Sequence, residues 1–216
     1  MKFFVLFGIA ILLAMAPANA VTIVNGGFNA GLTGFSIIES ENGTTDGQQV
    51  VLFETVSGIN STALELNVGR SMGGFDMPPA GITLVQQFIP EKSGLLTFSV
   101  DVAAVRDNSD GSNANAGEFT LLSNGAVLDT LFLGEIEASE TLRGSLSGKV
   151  ELTTGVLTDF SLQVFRPFVP SPSLRQYVDN VVVSTVPLPA PILSLLASLV
   201  VLFLVSRGEG ALRTQI

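Results

Sequence analysis

Short runs in which apolar and polar residues alternate recur along most of the chain. From Leu96 to Val102, for example, every second residue is apolar and the residues between are polar. A period of two is typical of a β-strand with one buried face, and glycine, asparagine and serine clusters separate the runs as turns would. Eleven runs are predicted to be strands: 21–24, 34–39, 50–56, 63–68, 83–89, 95–105, 118–122, 126–133, 142–152, 157–165 and 176–185.

The last run differs from the others because both of its sides carry apolar residues. Strict alternation places Val178, Asn180 and Val182 on one side, and Tyr177, Asp179, Val181 and Val183 on the other. A strand with apolar residues on both sides is predicted to be covered on much of both faces.

Turn residues and the absence of helical periodicity complete the fold prediction. Asn124-Gly125 between two apolar runs predicts a two-residue β-hairpin, and the segments 69–81 and 106–117 are predicted to be long solvent-exposed loops. About ten short strands within one domain predict an all-β protein, an antiparallel β-sandwich.

The N-terminus has the pattern of a secretory signal peptide. Met1-Lys2 precedes an apolar run over residues 3–15, and Ala18-Asn19-Ala20 follows. A cation, a short apolar run and an Ala-x-Ala ending predict cleavage after Ala20. Residues 1–20 are therefore predicted to be a signal peptide, and the protein is predicted to be exported.

The C-terminus has the pattern of a membrane anchor. Residues 191–206 carry no charge, and Arg207 follows them. A helix of this length spans about 24 Å, a little less than the ~30 Å hydrocarbon core, and local thinning can accommodate the difference. Arg207 fits the cytoplasmic side under the positive-inside rule. We predict a transmembrane helix over 191–206 and a short cytoplasmic tail over 207–216.

The five residues before this helix make the prediction more specific. Val186-Pro187-Leu188-Pro189-Ala190, an apolar run and the basic Arg207 resemble the VPLPA variant of the PEP-CTERM sorting signal. The resemblance implies a bacterial protein held in the inner membrane until an exosortase-type protease cuts near the proline motif. The product would then pass to the cell surface or the exopolysaccharide matrix. The family usually ends in a cluster of basic residues, whereas Gly208-Glu209-Gly210 follows Arg207 here, and a permanent anchor is the alternative.

The body of the chain carries a second resemblance. The stretch beginning Asn25-Gly26-Gly27-Phe28 resembles the opening of jelly-roll, galactose-binding-like domains, and Tyr177-Val178-Asp179-Asn180-Val181 resembles their last strand. This group includes carbohydrate-binding modules and many bacterial surface proteins. The resemblance implies a jelly-roll domain over 21–185, with its first and last segments close together.

The same resemblance implies a structural calcium ion. In the resembled modules, calcium joins the N-terminal block to an aspartate of the last strand, and this nominates Asp179 as carboxylate and Asn25 with its neighbours as carbonyl donors. Asn29 stands where the family often has glutamate. The alternative is that Asp179 and Asn180 only hold backbone groups at a strand crossing.

Composition excludes several kinds of chemistry. The chain has no histidine and no cysteine, so Ser-His-Asp and Cys-His catalysis and a good zinc site are excluded. The formal net charge of −9 disfavours nucleic acid as a partner. The remaining alternative is a glycan-active enzyme that uses a pair of carboxylates, and we predict a protein that is not an enzyme.

Aromatic residues are the remaining candidates for ligand contact. The chain has no tryptophan, one tyrosine and 15 phenylalanines, and most of the phenylalanines lie on strand patterns that predict core positions. Phe75 and Phe168 lie outside those patterns and are the candidate glycan contacts. The leading interpretation is a non-enzymatic cell-surface or matrix protein, and the alternative is a carbohydrate-binding module that recognises surface or matrix polysaccharide.

Overall fold

The computed structural model describes residues 23–70, 78–91, 93–107, 114–166 and 174–185. These residues contain ten strands: β1 (Ser36–Glu39), β2 (Gly43–Val56), β3 (Ile59–Arg70), β4 (Ala80–Phe88), β5 (Gly94–Arg106), β6 (Glu118–Ser123), β7 (Ala126–Phe132), β8 (Thr141–Leu152), β9 (Thr158–Arg166) and β10 (Leu174–Thr185). The first sheet has the order β1-β4-β9-β6-β7 and the second β2-β3-β10-β5-β8. Every pairing is antiparallel, so the all-β, antiparallel prediction is confirmed.

The predicted signal peptide, sorting motif and transmembrane helix all lie outside the described residues. Within the part of the chain that the structure describes, no helix has the length and hydropathy needed to cross a bilayer.

The main core lies where the inner faces of the two sheets carry alternating apolar side chains. On β5, Leu96, Phe98, Val100 and Val102 are all buried in it, as the alternation predicts. The rings of Phe98 and Phe160 stack with centroids 5.9 Å apart, so a strand of the second sheet contacts a strand of the first. The burial of alternate residues on both strands is what fixes their register.

The first predicted strand, 21–24, is wrong where the structure describes it. Ile23 and Val24 precede a series of turns, and the Val24 backbone N–H donates to the side chain of Gln86, at 2.8 Å, instead of to a strand. The next residue, Asn25, has a φ of 59°, and Phe28 has 51°. Left-handed backbone at two nearby positions cannot continue a strand.

This N-terminal block nevertheless packs against the last strand, as the jelly-roll resemblance implies. The Val181 backbone N–H donates to the Gly26 carbonyl oxygen, at 2.9 Å. A Cβ atom on Gly26 would lie 1.9 Å from the Val181 carbonyl oxygen, so only glycine fits this contact. Phe28 and Phe35, with ring centroids 5.2 Å apart, enter the main core from the same block.

The last strand, β10, departs from the alternation that the sequence predicts. Between Asp179 and Val182 it contains one residue more than the facing stretch of β5, which is a β-bulge. Asn180 lies in the bulge with a φ of 50°. The prediction that Val182 shares a face with Val178 is therefore wrong, because Val182 points outward and is 46% exposed. The inward residues are Val178, Val181 and Val183.

The hairpin between β6 and β7 agrees with the prediction from Asn124-Gly125. The φ angles of these two residues are 48° and 76°. Positive φ at both central residues is the type I′ geometry that matches the twist of paired strands.

Candidate functional site

The outer face of the second sheet carries a patch of aromatic and charged side chains. On β3, β5 and β10 the neighbouring residues Leu64, Val102 and Val178 lie in the main core, and alternation turns the side chains beside them to the opposite face. We call this patch the Tyr177 face, and its members are Gln49, Val51, Phe53, Ala63, Glu65, Ala103, Val105, Arg143, Arg175 and Tyr177.

One register row of the Tyr177 face crosses all five strands of the sheet. Successive pairings link Gln49 of β2, Glu65 of β3, Tyr177 of β10, Ala103 of β5 and Arg143 of β8. Side chains in one row stand about 5 Å apart. The row has exposed Gln49 and Arg143 at its two ends, with buried Glu65, Tyr177 and Ala103 between them.

Two aromatic rings form the centre of the Tyr177 face. The rings of Phe53 and Tyr177 are parallel, with 4° between their planes and 3.7 Å between their centroids. Ala63 and Ala103, which pack with Tyr177, are both fully buried and small, so they leave room for the rings. Tyr177 is 3% exposed, whereas Phe53 is half-buried and lies nearer to solvent.

The carboxylate of Glu65 is the hydrogen-bond acceptor that these polar side chains share. It accepts from the Tyr177 hydroxyl at 2.9 Å, from Gln49 Nε2 at 3.0 Å and from Arg175 Nη1 at 3.4 Å. Arg175 also forms an ion pair with Asp107. Glu65 is only 4% exposed, and its three donors offset the cost of removing a carboxylate from water.

The network raises the pKa of Tyr177 and the pKa of Arg175. Burial raises the pKa of Tyr177, and the hydrogen bond to Glu65 and the negative charge of that carboxylate raise it further. Burial acts to lower the pKa of Arg175, but the hydrogen bond to Asp107 and the neighbouring negative charges outweigh it, so this pKa is raised. Tyr177 is thus a neutral donor and Arg175 a cation throughout the physiological range.

The edges of the second sheet meet over this face. Arg143 of β8 donates from Nε to the Glu54 backbone oxygen of β2, at 2.8 Å, and also pairs with the Glu54 carboxylate at 3.7 Å. In a flat five-stranded sheet the edge strands would lie about 19 Å apart, since neighbours are separated by about 4.8 Å. The contact therefore requires a strongly curved second sheet, with the Tyr177 face as its concave side.

Asp179, the predicted calcium carboxylate, lies in β10 on the same outer side and is 1% exposed. Its carboxylate accepts hydrogen bonds from the Ser61 hydroxyl and from the Asn180 backbone N–H, the latter at 2.6 Å. These contacts tie β3 to the bulge of β10. The structure therefore gives Asp179 a structural task at a strand crossing.

Asn25, the predicted carbonyl donor, closes its own turn. Its side chain donates to the Gly31 oxygen at 2.8 Å and accepts from the Ala30 N–H at 2.9 Å, and its backbone oxygen accepts from the Phe28 N–H at 2.9 Å. Among the described residues, no three acidic side chains lie close enough together to hold a metal ion. A calcium site that combines one carboxylate with backbone carbonyl oxygens needs no such cluster, and it stays a prediction.

The other predicted site residues lie outside the described ranges. They are Phe75, Phe168 and the sorting motif with its basic residue, Val186, Pro187, Leu188, Pro189, Ala190 and Arg207.

Sequence reasoning missed Phe53, Glu65 and Arg175. It placed Phe53 in the core because the residue lies on a strand pattern. One signal could have found it. Gln49, Val51 and Phe53 lie at every second position of the chain and so on one side of the strand, and a polar residue among them is typical of a face turned to solvent.

Comparison with known proteins finds similarity among solved structures alone. No family model matches the sequence, and no curated protein sequence is similar to it. The module TmCBM61 in complex with β-1,4-galactotriose is 11% identical, with 77% of this chain and 100% of that chain covered and a TM-score of 0.43. The CBM22-1 xylan-binding domain of Paenibacillus barcinonensis Xyn10C is 15% identical, with 81% and 100% covered and a TM-score of 0.41.

A third structure, of carbohydrate-binding modules from the β-sandwich superfamily, is 13% identical, with 77% of this chain and 62% of that chain covered and a TM-score of 0.45. These neighbours are carbohydrate-binding modules, the group that the body of the sequence resembles. Likeness at this distance concerns the fold alone, and function has to be argued from the chemistry of the site.

Proposed function

We propose that the sandwich is a non-catalytic polysaccharide-binding domain, with the Tyr177 face as its contact surface. The observation that carries the proposal is the stacked pair Phe53 and Tyr177 beside the Glu65 network. A pyranose ring has an apolar face of C–H groups that packs on an aromatic ring. Its rim of hydroxyl groups forms hydrogen bonds with planar polar side chains. Such a patch supplies both.

The accessible members of the face are the groups a sugar would contact. Phe53 lies nearer to solvent than Tyr177. The side chain of Arg175 is 33% exposed and that of Arg143 30%, so both guanidinium groups are within reach of a ligand in the concave face. Glu65 holds Arg175, Tyr177 holds Phe53 and Glu54 holds Arg143. This preorganisation lowers the entropic cost of binding.

The charge of the chain favours neutral glycans as ligands. With a net charge of −9, the whole molecule repels polyanions at long range. The two arginines can still donate hydrogen bonds to neutral hydroxyl oxygens at short range. We therefore expect a neutral polysaccharide to bind more tightly than a uronate-rich one.

The test compares two neighbouring residues of β2 that point to opposite faces. Phe53→Ala removes the stacked ring, whereas Leu52→Ala removes an apolar side chain that is 77% exposed on the other face. Affinity electrophoresis in neutral polysaccharides should show retention of the wild type, at least about tenfold weaker retention for Phe53→Ala, and wild-type behaviour for Leu52→Ala.

Saturable retention that Phe53→Ala leaves unchanged would show that the polysaccharide binds at another surface of the protein. No retention by any neutral or acidic polysaccharide would contradict the proposal itself and favour a purely structural surface protein.

The second part of the proposal concerns location. We propose that the protein is exported and held by residues 191–206 until an exosortase-type protease removes the tail. The support is the order of Val186-Pro187-Leu188-Pro189-Ala190, uncharged run and Arg207, together with the signal-like N-terminus. Intact-mass measurement of protein released from the cell surface should give a product that begins after Ala20 and ends near Ala190. A product that keeps its tail would mean a permanent anchor.

A further inference from the structure

One end of the sandwich, which we call the base, gathers the ends of several strands. At the base β4 ends and β5 begins, across residues 89–93, and β8 ends and β9 begins, across residues 153–157. Hydrogen bonds join these two connections: the Gly155 N–H donates to the Pro90 oxygen at 3.1 Å, and the Thr154 N–H donates to Ser93 Oγ at 2.8 Å. The two connections therefore form one continuous surface.

The base exposes large aliphatic side chains. Ile89 and Leu157 directly follow and precede the paired residues Phe88 and Thr158, so they lie side by side. Of the twelve large apolar side chains that are exposed in the described part of the chain, seven lie at the base or on the turns beside it: Val24, Ile59, Ile89, Leu95, Val127, Val156 and Leu157. Such a concentration at one end differs from scattered surface residues and marks an interaction surface.

The chain leaves the described residues at this same end. Thr185, the last residue of β10, pairs with Leu96, which is next to the exposed Leu95. The uncharged run begins at Pro191, six residues further on. Six extended residues reach about 20 Å at most. An anchor in that run would therefore keep the base within about 20 Å of the bilayer.

We infer that the base rests on the lipid bilayer, with its aliphatic side chains at the boundary of headgroups and acyl chains. Transfer of aliphatic side chains to this boundary is favourable in proportion to the area buried. The exposed carboxylates of Glu91 and Glu151 lie at the base, so zwitterionic lipids suit it better than anionic ones. The inference rests on the proposed anchor and adds an orientation, because the Tyr177 face then stands at the side of the sandwich and does not face the bilayer.

The test uses the absence of cysteine from the chain. Leu157→Cys places a unique label at the base, and Phe132→Cys places one at the opposite end, where Phe132 pairs with the first residue of β6 and is 58% exposed. Each full-length variant is labelled with a polarity-sensitive fluorophore and reconstituted in phosphatidylcholine vesicles with brominated acyl chains. The label at residue 157 should shift to the blue and lose emission, while the label at residue 132 should do neither.

A third variant, Val156→Cys, guards against a local effect of one substitution and should behave as Leu157→Cys does. Equal quenching of base and control labels in vesicle-bound protein would overturn the inference and leave the anchor intact. Failure of the labelled protein to float with the vesicles would overturn the anchor and the inference together. Blue-shifted base labels that brominated lipid does not quench would show that protein, and not lipid, covers the base, which also overturns the inference.

Discussion

The two outer faces of the sandwich are built from similar strands but carry different chemistry. On the first sheet, the outward residues of β4, β6 and β9 include Thr83, Val85, Thr120, Ser161 and Gln163, which alternate with core residues. Among the described residues of that face no carboxylate is buried. The outer face of the second sheet buries two, Glu65 and Asp179, and stacks a tyrosine on a phenylalanine.

The difference between the two outer faces shows which polar groups a sheet face of this fold needs and which it does not. The outer face of the first sheet is satisfied by threonine, serine and glutamine, with Thr120 and Ser161 buried and no carboxylate buried among its described residues. Buried carboxylates are costly even when they are hydrogen-bonded, and apolar replacements often leave a protein equally stable or more stable. The Tyr177 face therefore contains more polar organisation than the sandwich needs, and ligand binding gives that organisation a purpose.

The largest expected effect is on stability, from substituting Glu65. Glu65→Ala leaves the Tyr177 hydroxyl, Gln49 and Arg175 without their shared acceptor. We expect a loss of about 2 kcal/mol in the free energy of unfolding, less than for a fully buried ion pair because Arg175 is partly exposed. Urea denaturation followed by circular dichroism measures it.

The matched control lies on the other outer face. Gln163→Ala removes a half-buried polar side chain from β9 and should change stability by less than about 0.5 kcal/mol. Equal losses for the two variants would mean that the two outer faces do not differ as described.

A smaller effect concerns the titration of Tyr177. A free tyrosine loses its proton at about pH 10, whereas burial and Glu65 raise the pKa of Tyr177. Since Tyr177 is the single tyrosine, the tyrosinate absorbance of the chain reports this residue alone. The absorbance should stay flat through pH 10 and rise only above it, and Glu65→Gln should bring the midpoint down without reaching the ordinary value.

The same shift has a consequence for stability. Because the folded pKa is raised, the folded state keeps a proton that the unfolded chain has lost, so this contribution is complete below about pH 10 and is lost as pH rises through the folded pKa. A tyrosinate signal that appears at the ordinary pH in folded protein would show that the network is open to water.

Periodicity accounts for most of what the sequence could predict of the fold. The period of two located ten of the eleven predicted strands, and Asn124-Gly125 located a hairpin. The period of two gave a wrong prediction where a local backbone feature interrupted the strand. The turn at Asn25 replaced the first predicted strand, and the bulge at Asn180 exchanged the faces of the residues beyond it. Polar residues at the start of β2, from Gly43 on, also concealed seven residues of that strand.

The candidate site could not be predicted because it depends on which strands become neighbours. Tyr177 lies 112 residues beyond Glu65, and it meets Glu65 and Phe53 only because β10 pairs with β3 and β3 with β2. Hydrophobicity alone places a phenylalanine on a strand in the core, whereas Phe53 packs on the other side of its sheet. The curvature that brings Arg143 to Glu54 is likewise a property of the whole sheet.

Binding of polysaccharide at the Tyr177 face can be measured through Tyr177 itself. Soluble neutral oligosaccharides are titrated into the protein while the near-ultraviolet circular dichroism is recorded, in a chain that has one tyrosine and no tryptophan. We expect a saturable change in the tyrosine band that Phe53→Ala abolishes and Leu52→Ala preserves. Calorimetrically detected binding that leaves the tyrosine band unchanged would contradict binding at this face.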